Sequence, residues 1–495
     1  MNPPAQALLV SVLAVPALGA LVVALLPARH ERGGRVLATV FAAITFVLTA
    51  LLAVPWRSRG PWIDLKAAWV PTLGIDFHLG VDGISYPLVV LTGLLTLLCC
   101  AYTVWKVPEG GLGRGRTLAA LLLVLEVGIL GTFLALDLVL FFIFFEVVLL
   151  PMYAVIAGWG GPQRRRAARK FVLYTLFGSV LLLLGVFTVV VAAGTGDLLE
   201  LTGGTGLSRT VQCAAFALFA VAFAVKAPLW PLHTWLPDAH TEAPTVGSVI
   251  LAGVLLKMGT YGLIRVGVGV TPLGAAWAAP VLGVLAVAAI IVGSLVCLRQ
   301  TELKRLIAYS SVGHMGFVLL GIATLTATGL QAALIGNVAH GVITGLLFFL
   351  AGAIKDRAHT GSLADLGGLR ETAPRLAGVL GFAAIASLGL PGLAGFWGEA
   401  FAVVAAAERG GPLWTTLAVL AAIGGALTAA YFLRLLRRVT HGPASPAVAD
   451  FTGIARPEWL AWSPLVLLAL AIGLVPALAL AATADPVAAL TGALP

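Results

Sequence analysis

Apolar stretches of roughly twenty residues, parted by short polar breaks, recur along the whole chain, and a hydrocarbon core about 30 Å thick needs about that many residues in a helix. Each stretch therefore reads as one membrane crossing. Glycine, proline and charged breaks place fourteen crossings near 5–27, 34–55, 84–106, 117–135, 138–158, 171–193, 210–235, 245–268, 276–297, 304–324, 330–353, 374–405, 413–436 and 461–483. The expected fold class is an all-α polytopic membrane protein, with one integral membrane domain over 1–495. The longest stretch between crossings, 56–83, is too short for a domain of its own.

Composition agrees with the pattern: 60% of the 495 residues are apolar and 10% charged, which excludes a soluble protein. The formal charge of +9 lies between crossings rather than on one face, so it does not point to nucleic acid. It reads as topology. Of the 30 basic residues, 22 fall in one set of alternate loops, from Arg29 to Arg456, against six (Arg57, Arg59, Lys66, Arg209, Arg265, Arg409) in the other. The positive-inside rule makes the first set cytoplasmic and puts both termini outside. No basic residue precedes the first apolar run, which reads as a span and not as a cleaved leader. Cys99, Cys100, Cys213 and Cys297 all sit in apolar runs without C-x-x-C spacing, so no disulfide framework, metal site or iron–sulfur cluster is expected in this chain.

A charge at mid-bilayer costs about 2.5–3.5 kcal/mol even on insertion scales, so each one needs a reason. Glu126, Glu146, Lys226, Lys257 and Glu399 qualify, and His314 and His340 join them within spans. One such residue is as readily a structural ion pair tying helices together. A set of them favours chemistry. Arg outnumbers Lys 23 to 7, yet both embedded bases are Lys, an outcome of about one chance in twenty. Buried lysine can release its proton and arginine cannot, so the choice fits a relay. Glu126 stays outside that relay, as a carboxylate equally suited to helix packing.

Backbone breaks stand beside the same groups. Pro228 and Pro231 follow Lys226, and Pro391 with Gly389, Gly392 and Gly395 precedes Glu399, so spans 7 and 12 are expected to be broken. One proline kink in a membrane helix is ordinary, but broken helices beside buried charge mark ion sites in transporters. Spans 4 to 8 (117–268) and 9 to 13 (276–436) form two groups of five. Because five is odd, the second group enters the membrane from the opposite side, with a broken helix fourth in each, the pattern of an inverted repeat. His233, Asp238, His240 and Glu242 look like metal ligands, but Pro237 and Pro244 make the stretch read as a cytoplasmic turn, and the glycines at 110–115 read as linker.

Four segments carry a resemblance: FFIFFEVVLLPMY (141–153), VKAPLWPLHTWLPDAHTEAPT (225–245), LKRLIAYSSVGHMGF (303–317) and GLPGLAGFWGE (389–399). Together they closely resemble the NuoM-type antiporter-like subunits of bacterial respiratory complex I, the proton-pumping NADH:quinone oxidoreductase. The likeness runs from DFHLGVDGIS (76–85) to the thirteenth span. A carboxylate at Glu399 is similar to the NuoM type, where sister subunits and Mrp antiporters more often carry lysine, and the chain stops without the lateral helix of the NuoL type.

The resemblance implies a fourteen-helix channel in which Glu146 pairs with Lys226, Lys257 is the central relay, His314 and His340 continue it, and Glu399 exchanges protons with the outside. It further implies a translocase subunit in the bacterial plasma membrane, without redox chemistry of its own. FMN, iron–sulfur clusters and quinone would belong to partner subunits. Its partners would be other membrane-arm subunits, sister antiporter-like chains among them, along with lipid and protons. Two other readings compete, a subunit of an Mrp-type sodium/proton antiporter and a structural membrane scaffold. The second predicts indifference to neutralising the buried charges.

Overall fold

The computed structural model describes residues 3–55, 60–108 and 114–494. Arg57, Arg59 and the glycines at 110, 111 and 113 lie outside them. Thirteen described helices are long and apolar enough to cross a membrane, from Pro3–Leu25 to Arg456–Leu474. A fourteenth crossing is built from two pieces, Pro374–Ser387 and Ala394–Arg409. The chain is a multi-pass membrane protein, helical because backbone groups in hydrocarbon must satisfy one another within each segment.

The boundaries depart from expectation where proline interrupts. Span 7 ends at Lys226 rather than near 235; Trp235–Glu242 then forms a separate short helix, not the expected turn. Span 14 ends at Leu474, not 483, because Pro476 cannot continue the hydrogen-bond ladder, and the short helices Ala477–Leu480 and Ala484–Gly492 follow. Span 5 is two helices, Leu138–Val147 and Leu149–Trp159, that meet just past Glu146.

Spans 8 (Thr245–Val268), 10 (Leu303–Thr324) and 11 (Ala327–Ala358) are enclosed by the others, and the central window of span 11 is buried throughout. These enclosed helices carry Lys257, His314 and His340. Small residues let them approach. A Cβ on Gly341 would lie 2.6 Å from the Gly253 carbonyl, and one on Gly398 would lie 2.6 Å from Gly336 Cα. Backbones that close pack by dispersion where no hydrophobic effect separates helix from lipid.

The stretch between spans 2 and 3 holds an antiparallel hairpin that the periodicity reading did not anticipate, β1 (Ile63–Val70) and β2 (Ile75–Val81), with Lys66 opposite His78. It is pinned to the loop after span 6. Lys66 Nζ lies 2.6 Å from Asp197, 3.1 Å from Asp76 and 3.1 Å from Glu200, while buried His78 Nδ1 lies 2.9 Å from Asp197. Burial alone would raise the Asp197 carboxyl, yet hydrogen bonds from His78 and Lys66 outweigh it and hold the group well below the usual carboxylate range. The same contact with Asp197 raises the Lys66 ammonium.

That loop also forms a clasp that recurs elsewhere in the chain. Leu138 N donates to Gly196 O and Leu198 N to Leu136 O, both at 2.8 Å; Leu303 N donates to Gly361 O at 2.9 Å and Leu363 N to Thr301 O at 2.8 Å. Asp197 N donates to Thr195 Oγ1 at 3.2 Å, as Ser362 N does to Thr360 Oγ1 at 3.1 Å. The residue before each threonine, Gly194 or His359, has positive φ, 75° and 55°. Asp137 and Glu302 cap the following helices by accepting backbone N–H bonds. Every member of the second set stands 165 positions after its counterpart, 302 after 137 and 361 after 196. Five crossings separate the two, so they lie on opposite faces of the bundle.

Replacing Asp197 with alanine is expected to release the hairpin while the helices stay intact. Amide exchange across residues 63–81 should quicken by about tenfold, the equivalent of one lost charged hydrogen bond of about 1.5 kcal/mol. A depressed folded-state value means the wild-type anchoring is complete above about pH 4, the ordinary carboxylate value, and is lost only as pH falls below it. Exchange in the hairpin that quickened between pH 8 and pH 6 would contradict this anchoring.

Candidate functional site

Span 8 departs from α-helical winding on both sides of Lys257: Leu251–Leu255 and Leu263–Val268 are π-wound, with Leu256–Gly262 regular between them. A π turn widens the helix by one residue and leaves a carbonyl poorly matched to the backbone ladder, a common feature of functional sites. Lys257 Nζ lies 2.5 Å from Ala252 O and 2.5 Å from His340 Nδ1, and Lys257 is wholly buried. The Gly253–Gly341 approach, next in sequence to both partners, sets this distance. Thr260 donates to Asn337 Oδ1 at 2.8 Å, so a second polar link joins spans 8 and 11 one turn away.

The His340 ring stands 5.7 Å, centroid to centroid, from that of His314. His314 Nδ1 lies 2.6 Å from Glu399 Oε1, and its Nε2 lies 2.9 Å from Ser387 Oγ. Between the two histidines is a cavity of about 20 Å³, lined among others by His314, His340, Ser387 and Glu399, with room for about one water. Buried His340 Nε2 has no hydrogen-bond partner among the described residues. Lys257, His340, His314 and Glu399 thus form one row through the enclosed helices.

Span 12 positions the far end. Its helix stops at Ser387 and resumes at Ala394, and the intervening loop turns at Gly389 (φ 76°) and Gly392 (φ 90°), a backbone region that glycine enters without strain. Pro391 lies inside this loop. Glu399 stands in the second turn of the resumed helix, whereas Lys226 is the last residue before the break of span 7, in which Pro228 and Pro231 lie. The two breaks place their charges differently.

Glu146 and Lys226 form a separate group. The expected direct pairing is not made: among the described residues no ion pair joins them, and Glu146 Oε1 instead accepts a hydrogen bond from Ser179 of span 6. Lys226 Nζ stands 4.6 Å above the ring of Phe145, a cation–π contact that positions it beside the carboxylate without touching it. The Glu146 carboxylate thus faces span 6, two residues before the junction at Val148 between the two helices of span 5. Nor does a hydrogen bond among the described residues link Lys226 to Lys257, although a Cβ on Gly259 would meet Ala227 N at 2.7 Å.

Ser179, Asn337 and Ser387 belong to these groups and were not singled out from the sequence. Asn337 stands three residues before His340, on the same helix face. Ser179 and Ser387 are lone hydroxyls in apolar runs, which ordinarily bond back to their own helix. Glu126 is fully buried, and neither carboxylate oxygen has a hydrogen-bond partner among the described residues. Buried His240 stacks on Phe348 at 4.4 Å. No group of three metal-ligating side chains occurs among the described residues.

A polytopic helical bundle with a titratable row through its most enclosed helices defines a class of ion-handling membrane proteins. The family described as NADH:quinone oxidoreductase/Mrp antiporter, TM, matches residues 135–425. NAD(P)H-quinone oxidoreductase chain 4 1 of Synechococcus sp. (strain JA-3-3Ab) is 44% identical over 423 residues, 84% of this chain and 79% of that one. NADH-quinone oxidoreductase subunit M of Rhodobacter capsulatus is 39% identical over 463 residues, 90% of this chain and 88% of that one. A chain in the structure of respiratory complex I from Thermus thermophilus with bound NADH matches with a TM-score of 0.86 at 30% identity, covering 98% of this chain and 100% of that one. The chain belongs to the NADH:quinone oxidoreductase/Mrp antiporter family of transmembrane subunits, with subunit M and chain 4 proteins as its relatives.

The glycine contact that sets the Lys257–His340 distance can be tested by overpacking. Gly341→Ala should lower the thermal midpoint in detergent by the equivalent of about 1–3 kcal/mol, since its Cβ would meet Gly253 O at 2.6 Å and Leu91 Cδ2 at 2.7 Å. Gly425→Ala, with open space around its Cβ, should leave the midpoint unchanged or raise it. Equal midpoints for the two variants would show that the approach is not tight.

Proposed function

We propose that this chain is a proton-translocating membrane-arm subunit of a bacterial NADH:quinone oxidoreductase, lying in the plasma membrane with both termini outside. On this reading it is two inverted five-helix repeats, 117–268 and 276–436, and it passes protons along Glu146, Lys226, Lys257, His340, His314 and Glu399. The observation that carries the reading is the row Lys257–His340–His314–Glu399 at the centre of the bundle. The duplicated clasp at a spacing of 165 residues supports the repeat, and the subunit M and chain 4 relatives support the enzyme. Redox chemistry, with its FMN, iron–sulfur clusters and quinone, belongs to partner subunits, sister antiporter-like chains being the neighbours.

The geometry assigns a task to each group. Lys257 Nζ and His340 Nδ1, at 2.5 Å, can exchange a proton without moving the backbone. His340 Nε2 is then free to release it across the cavity toward His314. Glu399 Oε1 lies 2.6 Å from His314 Nδ1, and Ser387 orients the ring through its other nitrogen. Glu146 acts on Lys226 through space: an ion pair at about 4 Å in an effective dielectric of about 20 is worth about 4 kcal/mol. Moving a proton against about 180 mV costs about 4 kcal/mol as well, so making or breaking one such pair is enough to drive a transfer.

Lys257→Arg separates charge from titration, because guanidinium keeps the positive charge and does not release its proton. Assembly should survive, while NADH-driven proton uptake into inverted vesicles falls about tenfold or more. Uptake at the wild-type rate in the assembled variant would remove Lys257 from the path.

Glu399→Gln keeps shape and an amide oxygen toward His314 but removes the carboxylate and its capacity to take up a proton. Measured with and without sodium, uptake should be sodium-independent in the wild type and several-fold lower in the variant. Sodium-dependent transport without NADH-linked activity would instead favour an Mrp-type antiporter, and undiminished uptake in Glu399→Gln would favour a scaffold.

A further inference from the structure

We propose that the cytoplasmic end of span 6, Arg164–Ala193, binds the headgroup of an anionic phospholipid through Arg165, Arg166 and Arg169, with the acyl chains lying along the helix below. The segment RRRAARK (164–170) puts five positive charges at a helix N-terminus, where the macrodipole adds to their repulsion. Two are engaged locally. Arg164 donates to Gly160 O at 3.1 Å, and Lys170 bonds Asp238 and Thr234 O, each at 2.7 Å. Arg165, Arg166 and Arg169 are exposed and have no hydrogen-bond or ion-pair partner among the described residues. They border an open hollow lined by Pro162, Gln163 and Arg164 as well.

The stripe beneath them says what fills it. Leu173, Leu176, Phe177, Val180, Leu184, Phe187 and Val191 are 48% to 82% exposed and recur every three or four residues, so they form one outward face. Arg169 and Arg166 continue the same face one and two turns above Leu173. A helix of 30 residues is about 45 Å long, against about 30 Å of hydrocarbon, so its first turns stand among headgroups while Leu173 enters the tails. The face carries branched and aromatic side chains, not the glycine, alanine and serine that let membrane helices dock, which favours lipid over a neighbouring subunit. Cation above and hydrocarbon below, at phospholipid spacing, complement an anionic lipid and not a zwitterionic one, whose own ammonium would meet the arginines.

The test is native mass spectrometry of the full chain released from nanodiscs of phosphatidylcholine with a minor fraction of phosphatidylglycerol. Wild type should retain phosphatidylglycerol in preference to phosphatidylcholine. The variant R165Q/R166Q/R169Q should lose that preference by about 100-fold, at about fivefold per basic residue, while R165K/R166K/R169K keeps most of it. An unchanged thermal midpoint in both variants ties the loss to the site. The proposal is overturned if the glutamine variant retains phosphatidylglycerol as the wild type does. It is likewise overturned if inorganic phosphate alone is retained as tightly, or if a photocrosslinker at position 173 in the assembled complex captures protein and no lipid.

Discussion

A lysine amine sealed from water with no carboxylate in contact governs the middle of this bundle. Charge in that position is costly unless nearby groups solvate it. The chain supplies an imidazole nitrogen and a carbonyl, each 2.5 Å from Lys257 Nζ. The rest of the centre follows from holding those partners: π winding on both sides of Lys257, the glycine approach between spans 8 and 11, and the burial of span 11 along its length. Lysine suits a site that must lose as well as hold its proton, and a neutral acceptor such as His340 leaves that option open where a carboxylate would bind the charge permanently.

Glu399, at one end of the row, and Glu146, in the separate group outside it, are held differently. Glu399 touches His314 directly, beside a loop that only glycine-rich sequence could form. Glu146 is held by Ser179 and acts on Lys226 across a gap, with Phe145 between helix and ammonium. A contact pair and a pair acting through space respond differently to a small shift of one helix. Energy in the first changes steeply with separation, and energy in the second changes gently. Span 5 is jointed just past Glu146, which is where such a shift has least backbone to disturb.

Outside the hydrocarbon the chain spends its polar groups on tying loops together. The clasp between 136–138 and 196–198, and its counterpart 165 residues on, satisfy backbone groups that would otherwise be left open at helix ends. The repeated strings TGDLLE (195–200) and TGSLAD (360–365) are short, and their equivalence rests on hydrogen bonds more than on side chains. Periodicity analysis passes over them, because two six-residue likenesses in 495 residues carry little signal until the bonding pattern is seen.

The apolar runs, read with their proline, glycine and charged breaks, determined the crossings, the expectation of interruptions near Pro228 and Pro391, and the set of charges within spans, since hydrocarbon requires about twenty apolar residues per crossing and makes a lone lysine among them costly. It could not determine contacts between spans far apart in sequence. Asn337, Ser179 and Ser387 look like ordinary helix hydroxyls and amides until spans 6, 11 and 12 are placed beside their partners. The contact of Glu146 with Ser179 in place of an ion pair with Lys226 was equally hidden, because no composition rule records the direction a side chain takes. The hairpin at 63–81 was missed because its alternation is short and falls between two stronger apolar runs. Solvent chemistry acts on each segment by itself and is written in the segment's residues; partner choice is a property of packed helices, decided by where glycines allow backbones to meet.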